Sequence, residues 1–192
     1  MTGKNCVAIA CDKRFGIQHQ TLAFNMPKVK QLNSKTFVGL SGLVSDAQTL
    51  FNRFQFRHNL YKLRENREMD PETFANLVST MLYEKRFGPY FVEPVICGLS
   101  GPDNKPFIAA MDLIGAPLLA KDSVVAGTCS EALYGMTESL WKPDLEPDDL
   151  FETISQVLLS AVNRDAFSGW GAVVYIMTPD EVITKEIKCR MD

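Results

Sequence analysis

Five short groups of residues in this sequence contain side chains that could take part in catalysis. They are Asp12-Lys-Arg14, Lys28, Gly39-Leu-Ser-Gly42, Gly127-Thr-Cys-Ser130 and Asp165-Ala-Phe-Ser168-Gly169. Carboxylates, amines and hydroxyls can move protons or attack a carbonyl, and the N–H groups of a glycine-rich turn can stabilise an oxyanion. Each group is weak evidence alone, so their order along the chain has to carry the interpretation.

Two other common kinds of catalytic or binding site have little support. The histidines are His19 and His58, and neither lies in a setting typical of a serine-histidine-acid triad. Cys6 and Cys11 precede His19, but no second close pair of cysteines or histidines completes a tetrahedral zinc site. The five cysteines are odd in number and scattered, which favours reduced, structural thiols.

Composition limits the partners of the chain. The 192 residues are 46% apolar and carry 20 Lys and Arg against 23 Asp and Glu, a net charge of −3. This balance predicts one globular domain without a basic field for nucleic acid. The longest stretch without a charged side chain, residues 166–179, is shorter than the 18 to 20 or so residues of a membrane span. Residues 1–11 do not resemble a signal peptide, so we expect a cytoplasmic and nuclear protein without a membrane partner.

The elements that must position these groups follow from apolar runs, turn residues and helix caps. Strands are predicted at 6–10, 36–40, 95–99, 107–111, 124–126, 172–177 and 182–187, and helices from about 45 to 67, 70 to 82, 130 to 141 and 147 to 162. Strands joined by tight turns must be antiparallel, so paired strands alternating with paired helices do not fit βαβ units. The predicted fold class is α+β, a four-layer αββα sandwich with two antiparallel sheets between helix pairs, in a single domain 1–192.

Taken in order over essentially the whole chain, the five groups resemble the beta subunits of the proteasome core particle, within the N-terminal nucleophile hydrolase superfamily. Longer runs at 83–90 (YEKRFGPY), 93–96 (EPVI), 113–115 (LIG) and 190–192 (RMD) resemble its non-catalytic type-3 branch. The resemblance implies the N-terminal nucleophile hydrolase fold and a structural role in ATP- and ubiquitin-dependent protein degradation. The implied partners are other beta subunits of the same ring, alpha-ring subunits and the opposite beta ring, and no cofactor is required.

The resemblance also assigns family positions to individual residues. Those retained here are Asp12, Lys28, Gly42, Thr128, Asp165 and Ser168. In catalytic relatives an N-terminal threonine attacks the peptide carbonyl, its amine or the lysine handles the proton, and the glycine turn stabilises the oxyanion. Thr128 stands where such relatives have a serine, and Trp170 where many have a glycine. We interpret the retained residues as scaffold, with Lys28 and Asp12 as a buried ion pair, and predict no catalytic residue in this chain.

The family spacing places the nucleophile sixteen residues before Asp12, which is five residues upstream of Met1. Thr2 would lie some 16 Å along the strand from that place. Relatives carry further residues before Gly3, so the first strand is expected to be truncated. The alternative is an active threonine peptidase formed by removal of a propeptide that precedes the sequence given.

Two binding roles are implied by the resemblance alone. Asp112 and Ala116 would shape the substrate pocket of a catalytic neighbour, with an ordinary interface role as the equal alternative. A structural magnesium ion would be held through backbone carbonyls at the turn positions Val162, Asp165 and Ser168, and the carboxylate of Asp192 from a subunit of the opposite ring would complete the site; an oxygen-only ligand set suits such a hard cation. The aromatic and arginine runs at 51–57 and 87–91 are expected to be exposed and are candidate interface anchors.

Overall fold

The computed structural model describes residues 1–191, which form eleven strands and four helices. The strands are β1 (Thr2–Gly3), β2 (Cys6–Asp12), β3 (Phe15–Ile17), β4 (Gln20–Ala23), β5 (Val29–Asn33), β6 (Thr36–Gly42), β7 (Val92–Ser100), β8 (Lys105–Met111), β9 (Pro117–Ala120), β10 (Ala172–Met177) and β11 (Val182–Ile187). The helices are α1 (Val44–Glu65), α2 (Pro71–Tyr83), α3 (Ser130–Leu140) and α4 (Pro147–Val162).

Two antiparallel sheets lie at the centre of the molecule. One has the strand order β1-β2-β10-β11 and the other the order β5-β6-β7-β8-β9, while β3 and β4 form a separate hairpin. Val7, Ile9 and Met177 of the first sheet pack against Phe37 and Cys97 of the second. The apolar run of β2 is therefore continuous because both faces of that strand are covered.

Each sheet is covered on its outer face by a pair of helices. The α1–α2 pair packs on the five-stranded sheet, where the rings of Phe54 and Phe74 meet edge to face at 5.3 Å between centroids. The α3–α4 pair packs on the four-stranded sheet, where Leu150 and Leu158 lie against Val174. Three apolar cores thus separate four layers, and the predicted α+β, four-layer αββα sandwich is confirmed.

The four helices were predicted correctly, but the strands were predicted less completely. The strand predicted at 124–126 is wrong, because Val124 packs into the core between the sheets and Val125 into the α3–α4 core without a strand ladder. Residues 117–120 form the edge strand β9 instead. Strands β1, β3, β4 and β5 lie outside the predicted runs because they are short and form no apolar run: β1 and β5 bury one residue each, and β3 and β4 bury none.

Candidate functional site

A cavity of about 930 Å³ lies at the end of β2 between the two sheets. Five of the six retained family positions line it: Asp12, Lys28, Gly42, Thr128 and Ser168. A volume of this size lies in the range of ligand pockets. The fold therefore brings together groups that are up to about 150 residues apart along the chain.

Asp12 is the best-connected acid of the cavity. It is 8% exposed, and its Oδ1 accepts a hydrogen bond from Nζ of Lys28. Its Oδ2 accepts from the N–H groups of Arg14, at 3.2 Å, and Gly169, at 3.1 Å. Both oxygens of the carboxylate are therefore hydrogen-bonded, and the side chain joins β2 to the turn that follows α4.

A second carboxylate organises that turn. Oδ2 of Asp165 accepts hydrogen bonds from the hydroxyls of Ser168 and Thr128, each at 2.5 Å, and Oδ1 accepts from the N–H of Phe167 at 3.2 Å. The hydroxyls of Thr128 and Ser168 are 3.0 Å apart. Desolvation alone would raise the pKa of Asp165, but these hydrogen bonds outweigh it, so the pKa lies below its ordinary value of 3.8.

Gly42 closes the cavity on the side of the five-stranded sheet. It has a φ of +115°, and a Cβ built on it would lie 2.3 Å from the carbonyl oxygen of Phe91. Leu43 next to it donates its N–H to the same oxygen at 2.8 Å. A side chain at position 42 would therefore break the turn that joins β6 to α1.

Thr2 does not take the place of a nucleophile in this cavity. It lies opposite Val7 in the pairing of β1 with β2, five positions along β2 from Asp12. That separation corresponds to about 16 Å along a strand. The hydroxyl of Thr2 donates instead to the carbonyl of Lys121 at 2.6 Å, and its side chain serves the packing of β1.

Asp112 and Ala116 lie elsewhere, in an exposed turn after β8. Oδ1 of Asp112 accepts from the N–H groups of Ile114, at 3.1 Å, and Ala116, at 2.8 Å. The carbonyl of Gly115 accepts from the hydroxyl of Ser79 at 2.6 Å, which fixes the turn to α2. The turn is thus rigid, and its neighbour Leu113 reaches the cavity lining.

The turn expected to hold magnesium begins at the carboxyl end of α4. The carbonyl of Val162 accepts the N–H of Asp165 at 3.1 Å, and the side chains of Asp165 and Ser168 are already joined to each other. The carboxyl end of a helix carries partial negative charge, which favours a cation, and a carbonyl oxygen that accepts one hydrogen bond has a second lone pair. Oxygen atoms of the main chain therefore fit the ion better than these side chains do. Asp192 lies outside the described residues.

Two residues with structural roles at the site were not given those roles by sequence reasoning. Arg14 is 7% exposed and donates to the carbonyls of Gln18, at 2.8 Å, and Phe167, at 3.0 Å, so it ties the β3–β4 hairpin to the turn after α4. Its position two residues after Asp12 was the signal available. Trp170 has a φ of +61°, a conformation that favours glycine. Its ring stacks on that of Phe24, with 6.0 Å between the ring centroids.

Two antiparallel sheets between helix pairs, with an acid–lysine pair and a hydroxyl–carboxylate turn at one end, define the N-terminal nucleophile hydrolase fold. A family model described as "Proteasome subunit" matches residues 1–177. The chain therefore belongs to the proteasome subunit family.

Named relatives of high identity match along the whole chain. "Proteasome subunit beta type-3" of Dictyostelium discoideum is 61% identical over 192 residues, which are 100% of this chain and 94% of the relative. "Proteasome subunit beta type-3-A" of Arabidopsis thaliana and "Proteasome subunit beta type-3" of Drosophila melanogaster are 59% and 56% identical with the same coverage. The chain is thus similar to beta type-3 subunits from a slime mould, a plant and an insect.

Proposed function

We propose that the chain is a non-catalytic, structural subunit of the beta ring of the proteasome core particle, and that it supports ATP- and ubiquitin-dependent protein degradation. The observation that carries this proposal is the match to beta type-3 subunits over 100% of the chain. Its partners would be beta neighbours of the same ring, alpha-ring subunits and the opposite beta ring. A location in the cytoplasm and nucleus is part of the same proposal. Separately, no helix among residues 1–191 is long and apolar enough to cross a membrane.

The geometry of the cavity supports a structural role for the retained residues. Lys28 is committed to Asp12, and Asp12 is in turn bonded to the main chain of Gly169. The hydroxyl of Thr2 donates a hydrogen bond to the carbonyl of Lys121, near the end of β2 opposite to Asp12. In this arrangement the acid and the lysine hold two layers of the sandwich together, which explains their retention without catalysis.

Replacement of Lys28 by methionine in the assembled particle tests this role. If the chain only supports its neighbours, K28M particles that have assembled should have the same peptidase activity per particle as the wild type. An active threonine peptidase needs its lysine for proton handling. One of the particle's peptidase activities would then be lost while the particle remains intact, and that result would contradict the proposal.

We also propose that the turn of Asp112 and Ala116 shapes the pocket of a catalytic neighbour. Its exposed position and its two internal hydrogen bonds to Asp112 support this, because a rigid turn can define the wall of a pocket. D112A should change the KM of one peptidase activity of the particle. D112N, which keeps an oxygen acceptor but loses the charge, separates the shape of the turn from its electrostatic effect. Unchanged KM values in both variants would overturn the proposal.

A structural magnesium ion at the turn after α4 is a further proposal, supported by the carbonyl of Val162 at the negative end of that helix. The ion would supply positive charge to main-chain oxygens near Asp165 and Ser168, with Asp192 from a subunit of the opposite ring contributing a carboxylate. If the ion binds there, the melting temperature of the assembled particle should be higher in the presence of magnesium than in the presence of a chelator. Equal melting temperatures under the two conditions would contradict it.

A further inference from the structure

Helices α1 and α2 enclose a small cleft in the outer helical layer, separate from the cavity between the sheets. Its volume is about 220 Å³, and its polar lining comes from Arg53 and Arg57 of α1 with Glu84, Lys85 and Tyr90 after α2. We call this the basic cleft. Among residues 1–191, no ion pair involves Arg53, Arg57 or Lys85.

The charge of the basic cleft is opposite to that of the rest of the chain. Three cations and one acid give it a charge of 3 − 1 = +2, while the whole chain carries −3. The remaining residues therefore carry −3 − 2 = −5. Unpaired cations concentrated on an acidic protein mark a surface that complements a negatively charged partner.

One of the cations is already held in place for binding. Nη1 of Arg53 donates to the hydroxyl of Tyr90 at 2.5 Å, and its guanidinium carbon lies 5.7 Å from the centroid of that ring. Arg57 and Lys85 are exposed at the sides of the cleft. A fixed arginine with further donors beside it suits a carboxylate, because a guanidinium binds both carboxylate oxygens.

Large aromatic side chains surround these charges. Phe56 in the cleft lining is 65% exposed, and Phe87, two residues after Lys85, is 92% exposed. The guanidinium carbon of Arg86 lies 4.8 Å from the centroid of Phe87 and 5.9 Å from that of Tyr83. Arginine and exposed aromatic residues together are typical of the energetically important centre of a protein interface.

We propose that the basic cleft docks an acidic segment of a neighbouring protein chain. Carboxylates of that segment pair with Arg53, Arg57 and Lys85. An apolar side chain next to them packs on Phe56 and Phe87. The inference rests on the proposed function, because a subunit of a ring is enclosed by other chains. It goes further in naming the place and the chemistry of one of those contacts.

Zero-length coupling with a carbodiimide tests this contact in the purified, intact particle, because the reagent joins an ammonium only to a carboxylate in direct contact. Nζ of Lys62 lies 3.1 Å from Oε1 of Glu68 in the same chain, so coupling between these two residues is the positive control for the reagent. We expect Lys85 to be coupled to an aspartate or glutamate of another chain. Coupling of Lys62 without such a product at Lys85 would overturn the proposal.

Charge reversal provides a second readout. R57E/K85E should reduce incorporation of the chain into the particle by about tenfold, since like charges then face each other across the contact. R64E, on an exposed position of the same helix α1, is the matched control and should incorporate within about twofold of the wild type. The melting temperatures of the isolated variants should stay within a few degrees of the wild type.

The two readouts separate this inference from the proposed function. A wild-type chain that never enters the particle would refute the proposed function. A chain that enters the particle with Lys85 uncoupled, and whose R57E/K85E variant assembles normally, refutes the basic cleft alone.

Discussion

Lys28 and Asp12 form an ion pair in which the carboxylate also accepts a main-chain hydrogen bond from Gly169, 157 residues further along the chain. The pair therefore fastens the start of β5 and the end of β2 to the turn after α4. In a sandwich whose layers are held mainly by apolar contacts, this polar connection sets the relative position of the residues around the cavity.

The first prediction concerns the cost of breaking this pair. D12N should lower the free energy of unfolding by about 2 to 3 kcal/mol, because it leaves the ammonium of Lys28 partly buried without a counter-charge. The lower end of the range for buried pairs applies, since the side chain of Lys28 is 26% exposed. E146Q is the matched control: it breaks the pair of Glu146 with Lys4, whose side chains are 59% and 58% exposed, and should leave the free energy of unfolding nearly unchanged. Urea denaturation measures both, and equal losses would contradict the prediction.

The second prediction concerns the carboxylate of Asp165 and pH. Its pKa is lower in the folded chain than the ordinary value of 3.8, so its contribution to stability is present above pH 3.8 and is lost as the pH falls through the folded pKa. T128V/S168A removes two of its hydrogen bonds and should cost about 1 to 2 kcal/mol at neutral pH. The difference from the wild type should shrink at acidic pH.

S139A is the control for this pH effect, because the hydroxyl of Ser139 bonds only the carbonyl of Gly135 within α3. Its small effect on stability should be the same at neutral and acidic pH. If the penalty of T128V/S168A were likewise independent of pH, the hydroxyls would not be acting through the charge of Asp165.

The third prediction compares two glycines at which an added Cβ should change stability in opposite directions. G42A should lower the free energy of unfolding by more than about 2 kcal/mol, because its Cβ would meet the carbonyl oxygen of Phe91 at 2.3 Å and its φ is positive. At Gly135 in α3, no described atom other than those of its chain neighbours and its own helix backbone lies within 4 Å of an added Cβ, so G135A should raise the free energy of unfolding by about 0.5 to 1 kcal/mol. Thermal unfolding distinguishes the two signs, and a tolerated G42A would show that the β6–α1 turn is not restricted as described.

The fourth prediction concerns the thiols, all five of which are free in the described part of the chain. Burial raises the pKa of Cys97 to about 12, so at mildly alkaline pH only about one molecule in ten thousand carries the thiolate. Alkylation of Cys97 should therefore follow unfolding of the chain, whereas the half-buried Cys189 should react earlier. Mass spectrometry of the alkylated peptides over time measures the order, and early labelling of Cys97 would show that its core opens locally.

The helices could be predicted from the sequence because their signals are local. Pro71 and Pro147 each follow an acidic residue and precede apolar stripes at helical spacing, and both begin helices. The β3–β4 hairpin has no such signal, since its short strands depend on Arg14, which donates to the hydroxyl of Thr21 and to the main-chain carbonyls of Gln18 and Phe167. Tertiary contacts stabilise these two strands, and such contacts leave no periodic pattern in the sequence.

The candidate site could be predicted only in part, for a similar reason. The spacing of Asp12 and Lys28, read through the family resemblance, brought them together correctly. The hydrogen bond of Asp12 with the N–H of Gly169 involves a main-chain group, which leaves no signature in residue type. The prediction that the whole run 51–57 is exposed is wrong for Phe51 and Phe54, which are buried in the core under α1, whereas Phe56 and Arg57 face outwards.

The most direct test of a structural, non-catalytic role is the whole-chain mass of this subunit from particles treated with an electrophile selective for N-terminal threonines. A scaffold subunit predicts that its mass is unchanged and that its first residue is not threonine, while catalytic neighbours in the same particles gain the mass of the reagent. A chain that begins with threonine and gains that mass in stoichiometric amount would show that it is an active peptidase.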